Sequence, residues 1–342
     1  MKLLVLGGTA FVGRAVVTEA LERQYRVTTF NRGRTGTPLP GVETLYGDRT
    51  RPADLEVLAG RRWDAVVDTW SGAPRHAGQT ARLLAGAVGH YGYVSSRSVY
   101  RWPLPVGADE SAPVVGARPD ADHTEYPADK RGAELAILEG YGDALLARAG
   151  LILGPHEDVG RLPWWLRRVA AGGEVLAPGP PDMALQYVDA RDLAAWMLNC
   201  AEQGTTGPYN VVSAPGHTTT LGLLTACRDA TGGTVRFVWV DPEFLLAHDV
   251  EPWTELPVWV PPDSEYVGLH RADTSAALAA GLRCRPVAET VADTWDWLRR
   301  LDELPLRERE GVSPPGLDPA KERRVLDAWR SAPVPYGAGR GH

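Results

Sequence analysis

The first fourteen residues, M-K-L-L-V-L-G-G-T-A-F-V-G-R, constrain the fold more than any other stretch. Residues 2–6 are a short apolar run of the kind that forms a strand buried on both faces. Gly7 and Gly8 break that run, and beyond Gly13 the apolar residues Val16, Val17, Ala20 and Leu21 recur at helical spacing. A strand that turns on glycine into a helix leaves the first helical N–H groups unpaired and exposes the positive end of the helix dipole. That end is a seat for a pyrophosphate. Gly7 allows the tight turn, and Gly13 lets helix and strand approach closely. The spacing Gly7, Ala10, Gly13 is not the strict dinucleotide fingerprint, so nucleotide binding is expected from the placement between strand and helix.

Arg26–Asn31, 42–46, 64–69 and 91–95 read as further strands, with helical segments at 53–58 and 79–88 between them. Strands alternating with helices predict an α/β doubly wound parallel sheet, a Rossmann fold. Residues 101–125 are rich in Pro, Gly and Asp, a long loop expected to be functional or mobile. The second half predicts helices at 127–139, 164–171, 190–202, 220–230, 274–280, 287–301 and 319–329. Between them come extended pieces at 144–148, 151–153, 185–188, 209–212 and 234–240, with 178–182 as a rigid connector. The expected division is a dinucleotide-binding unit, 1–155 with about 183–212, and a smaller substrate lobe, 156–182 with 213–330. A frayed tail follows from 331.

Composition limits the partners. A net charge of −7 gives no reason to expect nucleic acid and argues against a membrane surface. No apolar run nears the length of a membrane span, and the N-terminal run goes straight into the glycine turn without a signal region. Cys200, Cys227 and Cys284 are too scattered for a disulfide framework or a zinc site, so no metal and a reducing, cytoplasmic setting are expected. Lys2, Lys130 and Lys321 are the sole lysines, so a lysine inside a motif carries weight.

Tyr126 and Lys130 are four apart, which on a helix puts them on one face. A free phenol titrates near 10 and is a poor acid or base at neutral pH; a nearby ammonium favours its phenolate. Pro127 belongs in a first helical turn, so Tyr126 stands at a helix start. Ser95 and Ser96 end a predicted strand, at the sheet edge where such folds bind ligands. A hydroxyl there can donate to a substrate oxygen or merely cap the strand end.

Gly7-x-x-Ala10-x-x-Gly13, Ser96 with Val99-Tyr100, and Tyr126-x-x-x-Lys130 occur in an order that resembles the extended short-chain dehydrogenase/reductase family, often called NAD-dependent epimerases/dehydratases. Gly154-Pro155, Gln186-Tyr187-Val188-Asp189 to Asp192 and Tyr209-Asn210-Val211 extend the resemblance to roughly residues 1–300. The resemblance implies Tyr126 as catalytic acid/base, Lys130 lowering its pKa and holding the nicotinamide ribose, and Ser96 polarising a substrate carbonyl. It implies a cofactor cradle of Gly7, Thr9, Ala10, Phe11, Val12 and Gly13, with Asp48 at the adenine and Arg49 and Thr69 beside it. Family members often dimerise through a four-helix bundle, which the helices 79–88 and 127–139 would supply as a homodimer. The opening L-G-G-T-x-F-V-G also resembles a subgroup that includes chloroplast stem-loop-binding proteins.

Two departures shape the expected activity. An acidic residue normally ends the second strand when the cofactor is NAD; here Asn31 stands there, beside Arg32 and Arg34, which can pair with a 2′-phosphate. NADP(H) is therefore expected over NAD(H). Sugar-nucleotide epimerases of the family clamp a diphosphate with two arginines, and the matching places here are Leu185 and Pro242-Glu243. Trp70, Trp102, His156, Trp164 and Gln186 are the expected substrate contacts, aromatic walls suiting a ring-containing or apolar molecule, and most of the twelve tryptophans serve as core filling. The expectation is an NADP(H)-dependent reductase or dehydrogenase of a small organic substrate. Abundant Arg, Ala and Gly point to a GC-rich bacterial genome and specialised metabolism. The alternatives are a sugar-nucleotide epimerase or dehydratase that retains NAD, and a non-catalytic RNA-binding member.

Overall fold

The structure, a computed structural model, describes residues 1–307 and 314–332. Its first strand, β1 (Lys2–Leu6), sends Leu3 and Val5 into one core and Leu4 and Leu6 into another. Successive strand side chains point to opposite faces, so a wholly apolar strand is one covered on both. The alternation continues through α1 (Phe11–Glu22), β2 (Arg26–Asn31), β3 (Glu43–Tyr46), α2 (Pro52–Leu55), β4 (Trp63–Asp68), α3 (Pro74–Leu84), β5 (Val88–Ser96), α4 (Tyr126–Gly140) and β6 (Leu145–Ala149). Then follow β7 (Ile152–Leu153), α5 (Arg161–Ala170), β8 (Gly173–Pro178), β9 (Ala184–Leu185), β10 (Val188–Asp189), α6 (Ala190–Gln203) and β11 (Gly207–Val211). The chain continues with β12 (Thr218–Thr219), α7 (Thr220–Thr231), β13 (Val235–Val240), α8 (Pro242–Ala247), α9 (Ser275–Ala279), α10 (Val287–Leu298) and α11 (Pro319–Ser331).

Seven strands form one parallel sheet in the order β11-β6-β5-β4-β1-β2-β3. Val16 and Val17 of α1 with Leu193 and Met197 of α6 cover one face. Ala77 and Ala81 of α3 with Ala133 and Ile137 of α4 cover the other. This is the doubly wound Rossmann fold expected from the alternation, and the strand order reverses between β1 and β4. The C-terminal lobe is built on β8 and β13, paired in parallel from Val235 opposite Gly173 to Val240 opposite Pro178. Leu162, Trp165, Leu224, Val291 and Val325 make its core, so α5, α7, α10 and α11 all dock there. No helix among the described residues is long and apolar enough to cross a membrane.

Several boundaries differ from expectation. Helix α3 begins at Pro74 rather than 79, because a proline with preset φ starts the helix before its apolar stripe does. It stops at Leu84, and Val88, expected to be helical, opens β5. Gly86, at φ 72°, makes the turn between them. Strand β8 and helix α8 are additions to the expected elements; β8 exists because β13, some sixty residues on, pairs with it. The long loop at 101–125 forms no helix or strand of its own but is tied down: Tyr100 bridges Val114, and Glu110 Oε1 accepts from Asn210 N at 2.6 Å. The expected tail from 331 lies, beyond residue 332, outside the described residues.

Candidate active site

The reversal of strand order opens a crevice at the carboxyl ends of β1 and β4. Gly7 sits there at φ 119°, and a Cβ on it would lie 2.5 Å from Thr69 Oγ1 at the end of β4. A Cβ on Gly13 would lie 2.6 Å from Gly8 N. Glycine is thus required for turn and helix to close. Ala10 is the N-cap of α1 and offers no side chain to cap it, leaving first-turn N–H groups for an anion. Loop residue Gly36 presses on the Thr9 carbonyl, and Thr9 Oγ1 lies 3.4 Å from Thr35 Oγ1, so the loop after β2 folds over the turn. The cradle suits a dinucleotide pyrophosphate. Phe11 and Val12 reach it only through their backbone, since both side chains are buried in the core beneath α1. Arg14, unnoticed in the sequence, reaches the Thr37 carbonyl at 3.4 Å from the same first turn.

Asn31 closes the turn after β2, its Oδ1 accepting from Gly33 N at 2.9 Å. Arg32 and Arg34 are exposed beyond it. Burial works to raise the Asp48 carboxyl, but the N–H and hydroxyl of Thr50 and the charges of Arg32 and Arg34 hold it below its usual range. Those three side chains therefore share one corner. Arg49 does not join them. Its guanidinium is buried and bidentate on Asp68, at 2.7 and 2.9 Å, so the side chain forms a structural ion pair and only the Arg49 backbone is left to meet a cofactor. Asp68 also accepts from Tyr91 Oη at 2.7 Å and from Trp70 N at 2.9 Å.

Pro127 in the first turn of α4 places Tyr126 at the helix start, where the ring is 44% exposed. Lys130, one turn on, is 3% exposed. Its Nζ donates to the Trp70 carbonyl at 2.6 Å and the Val94 carbonyl at 2.7 Å, the ends of β4 and β5, and lies 4.8 Å from the Tyr93 ring centre. Burial brings its pKa down to about 7. Tyr93 donates to the same Trp70 carbonyl at 3.0 Å, and its own phenol is pushed up by burial first, then by Asp68 and Tyr126. Ser96 ends β5, its Oγ accepting from Ser98 N at 3.1 Å and lying 3.0 Å from Ser98 Oγ. Ser95 faces away, donating at 2.7 Å to Glu134, which also holds Arg148 and Arg131 and anchors α4 from behind. An exposed phenol at the start of α4, a buried amine one turn on and a hydroxyl at the end of β5 thus lie on elements around the same sheet edge as the glycine turn, groups of the kind able to move a proton at a substrate oxygen.

The model of the NAD dependent epimerase/dehydratase family matches residues 3–212. This chain belongs to that family. Solved structures share its fold at low identity. UDP-glucose 4-epimerase of Thermus thermophilus, in complex with NAD, is 20% identical with a TM-score of 0.63, covering 87% of this chain and 99% of that one. The Bordetella bronchiseptica enzyme WbmG, in complex with NAD and UDP, is 17% identical with a TM-score of 0.67, covering 92% and 99%. UDP-N-acetylglucosamine 4-epimerase of Methanobrevibacter ruminantium, in complex with UDP-N-acetylmuramic acid, is 18% identical with a TM-score of 0.66, covering 87% and 98%. No curated protein matches in sequence.

In this family member the expected substrate contacts divide. Trp70 gives its carbonyl to Lys130, while its ring lies 4.7 Å from the Arg49 guanidinium. Trp102 packs on Tyr266 with ring centres 5.4 Å apart. His156, at φ 67°, lies 5.1 Å from the Trp297 ring; burial first, then the charge of Arg14, brings its pKa down to about 4, so the imidazole is neutral. Two of these side chains are engaged within the protein. Trp164 packs edge-on to Trp165 at 4.7 Å with the Gly316 backbone against its indole, so the C-terminal segment covers it. Gln186 is buried and wholly spent on backbone: its Nε2 donates to Ser213 and Ala272 carbonyls at 2.8 and 3.1 Å, and its Oε1 accepts from Ala272 N at 2.7 Å. Sequence reasoning also missed Glu157, a buried acid that caps α5 by accepting from Arg161 N at 2.8 Å and Leu162 N at 3.2 Å. Burial lifts its pKa to about 7. It missed Arg307 too, bound to Asp158 at 2.9 Å and close enough that its charge disfavours the Lys130 ammonium. No local signal marks that approach, which joins residues far apart in sequence.

Proposed function

We propose that this family member is an NADP(H)-dependent reductase or dehydrogenase acting on a carbonyl or hydroxyl of a small organic substrate that carries no nucleotide. The observation that carries the reading is the buried Lys130 amine, held at the Trp70 and Val94 carbonyls one helical turn from the exposed Tyr126, at the sheet edge that also carries the glycine turn. The cradle of Gly7, Thr9, Ala10 and Gly13 would hold the dinucleotide, which when bound supplies or accepts hydride at the substrate carbon. Tyr126 Oη gives its proton to the substrate oxygen during reduction and takes it back in the reverse direction. Two of the Lys130 Nζ hydrogens go to the Trp70 and Val94 carbonyls, leaving a third for a ribose hydroxyl. Ser96 Oγ steadies the oxygen on which charge develops.

Two features support the finer points. Arg32 and Arg34 stand free of ion pairs among the described residues, where a 2′-phosphate would meet them. Leu185 is buried in the lobe core and Glu243 lies in the first turn of α8, so neither position supplies a guanidinium for a diphosphate. For oligomeric state, α3 and α4 pack together and Leu138 of α4 is exposed, a face through which two copies would pair. The second reading, an epimerase that retains NAD, draws on the family and uses the same Tyr126 and Lys130. Titration of the purified protein with NADPH and NADH separates the two. The reductase reading expects at least ~10-fold tighter NADPH binding, abolished by Arg32→Ser/Arg34→Ser, with NADPH consumed on some carbonyl of a broad panel. Tightly held NAD in the protein as purified, with a thermal shift on adding UDP-sugars and no NADPH turnover, would overturn it.

A further inference from the structure

We propose that a second cavity in the lobe holds the remote end of the substrate, and that this end is a single carboxylate on an apolar body, gripped by Arg271. The proposal rests on the reading of a small, non-nucleotide substrate. The cavity measures about 710 Å³ and opens between the long loop, the segment after β8 and the segment before α9. Its size is that of a site for a small organic molecule. Val106, Pro180, Met183, Pro215 and Pro262 make apolar walls. Prolines are stiff and methionine adapts its shape, so such walls hold an apolar body without ordering much side chain.

The charges decide what else the cavity takes. Arg271 is exposed at its lining, and among the described residues its guanidinium has no ion-pair or hydrogen-bond partner. The backbone beneath is fixed. Arg271 O accepts from Gly107 N at 2.7 Å, and Arg271 N donates to Gly268 O at 3.3 Å. On one side Gln186 grips Ala272. On the other, Arg97, the residue after Ser96, donates to the Leu269 and Gly268 carbonyls at 2.6 and 3.2 Å. The wall that carries Arg271 is therefore bolted to the strand end that carries Ser96. A fixed backbone that presents an unpaired guanidinium can recognise a carboxylate by two parallel hydrogen bonds.

The other charged linings are Asp182 and Asp273, and they limit the ligand to one negative charge. Asp273 Oδ1 accepts from Ser275 N at 2.7 Å, which holds that carboxyl below its usual range and keeps it ionised. His270 is neutral at physiological pH, brought down to about 4 by burial, with both ring nitrogens at backbone groups of Val258 and Gln186. One guanidinium against two carboxylates accepts a monoanion and repels a nucleoside diphosphate.

Calorimetric titration of the protein saturated with NADP+ tests this, with phenylacetate, phenylacetamide and UDP as probes on wild type and Arg271→Gln. Phenylacetate is expected to bind about 10-fold more tightly than its amide, and Arg271→Gln to abolish the difference with NADP+ affinity unchanged. Equal binding of acid and amide, no binding of the acid at millimolar concentration, preferential binding of UDP, or an unaltered preference in Arg271→Gln would overturn the proposal. Failure of the reductase reading is read separately, as loss of NADPH turnover with the acid preference intact.

Discussion

Replacing Lys130 by methionine separates the chemistry of this site from its electrostatics. The folded ammonium is buried, and burial brings its pKa from 10.5 to about 7. The unfolded chain keeps that proton up to 10.5, so above pH 7 unfolding takes up a proton and wild-type stability climbs with pH. The gain is about 1.4 kcal/mol per pH unit, or ~3 kcal/mol between about pH 7 and 9. Below pH 7 the desolvation cost of the charge is fully present and the contribution is flat. Methionine does not titrate. It also removes the lysine donor from the Val94 carbonyl and leaves the Trp70 carbonyl with Tyr93, a loss of about 1–3 kcal/mol in all. The two effects oppose each other, so Lys130→Met should be near wild-type stability at about pH 6 and several kcal/mol less stable at about pH 9. Urea unfolding followed by tryptophan fluorescence at both pH values measures the difference. A stability gap between the two proteins that stays constant from about pH 6 to 9 would refute the reasoning, since it would mean an ordinary lysine pKa in the folded state.

Tyr126→Phe should lower turnover by about 10²–10⁴-fold with cofactor affinity retained, read from NADPH absorbance; a loss under about 10-fold would mean another group carries the proton. Asp68→Ala strips the carboxylate from the buried Arg49 guanidinium and should cost about 3–5 kcal/mol in denaturant unfolding. The paired change Arg49→Met/Asp68→Leu should recover part of that loss, because no charge is left stranded. Gly13→Ala drives a Cβ against Gly8 N and should destabilise the fold by about 1–3 kcal/mol while weakening dinucleotide binding, both measured on one sample by thermal shift with and without cofactor.

The sequence by itself determined the sheet and the helix that carries Tyr126 and Lys130. Alternating apolar runs, glycine at the first turn and proline at the start of α4 act over a few residues, and near-neighbour sterics and periodicity decide them wherever the chain goes. The four-residue spacing of Tyr126 and Lys130 belongs to the same class. Tertiary structure alone decided which of many similar side chains does what. Arg49 and Arg32 look alike as sequence, yet one is buried on Asp68 and the other exposed beside Asp48. Nothing in the sequence near Gln186 and Trp164 announces that the Gln186 amide bonds backbone of residues 213 and 272 and that backbone of residue 316 packs on Trp164. The free guanidinium of Arg271 depends on loops from four parts of the chain meeting around it. Partner choice of this kind is settled by burial and long-range contact, where the cost of leaving a polar group unpaired outweighs any local preference.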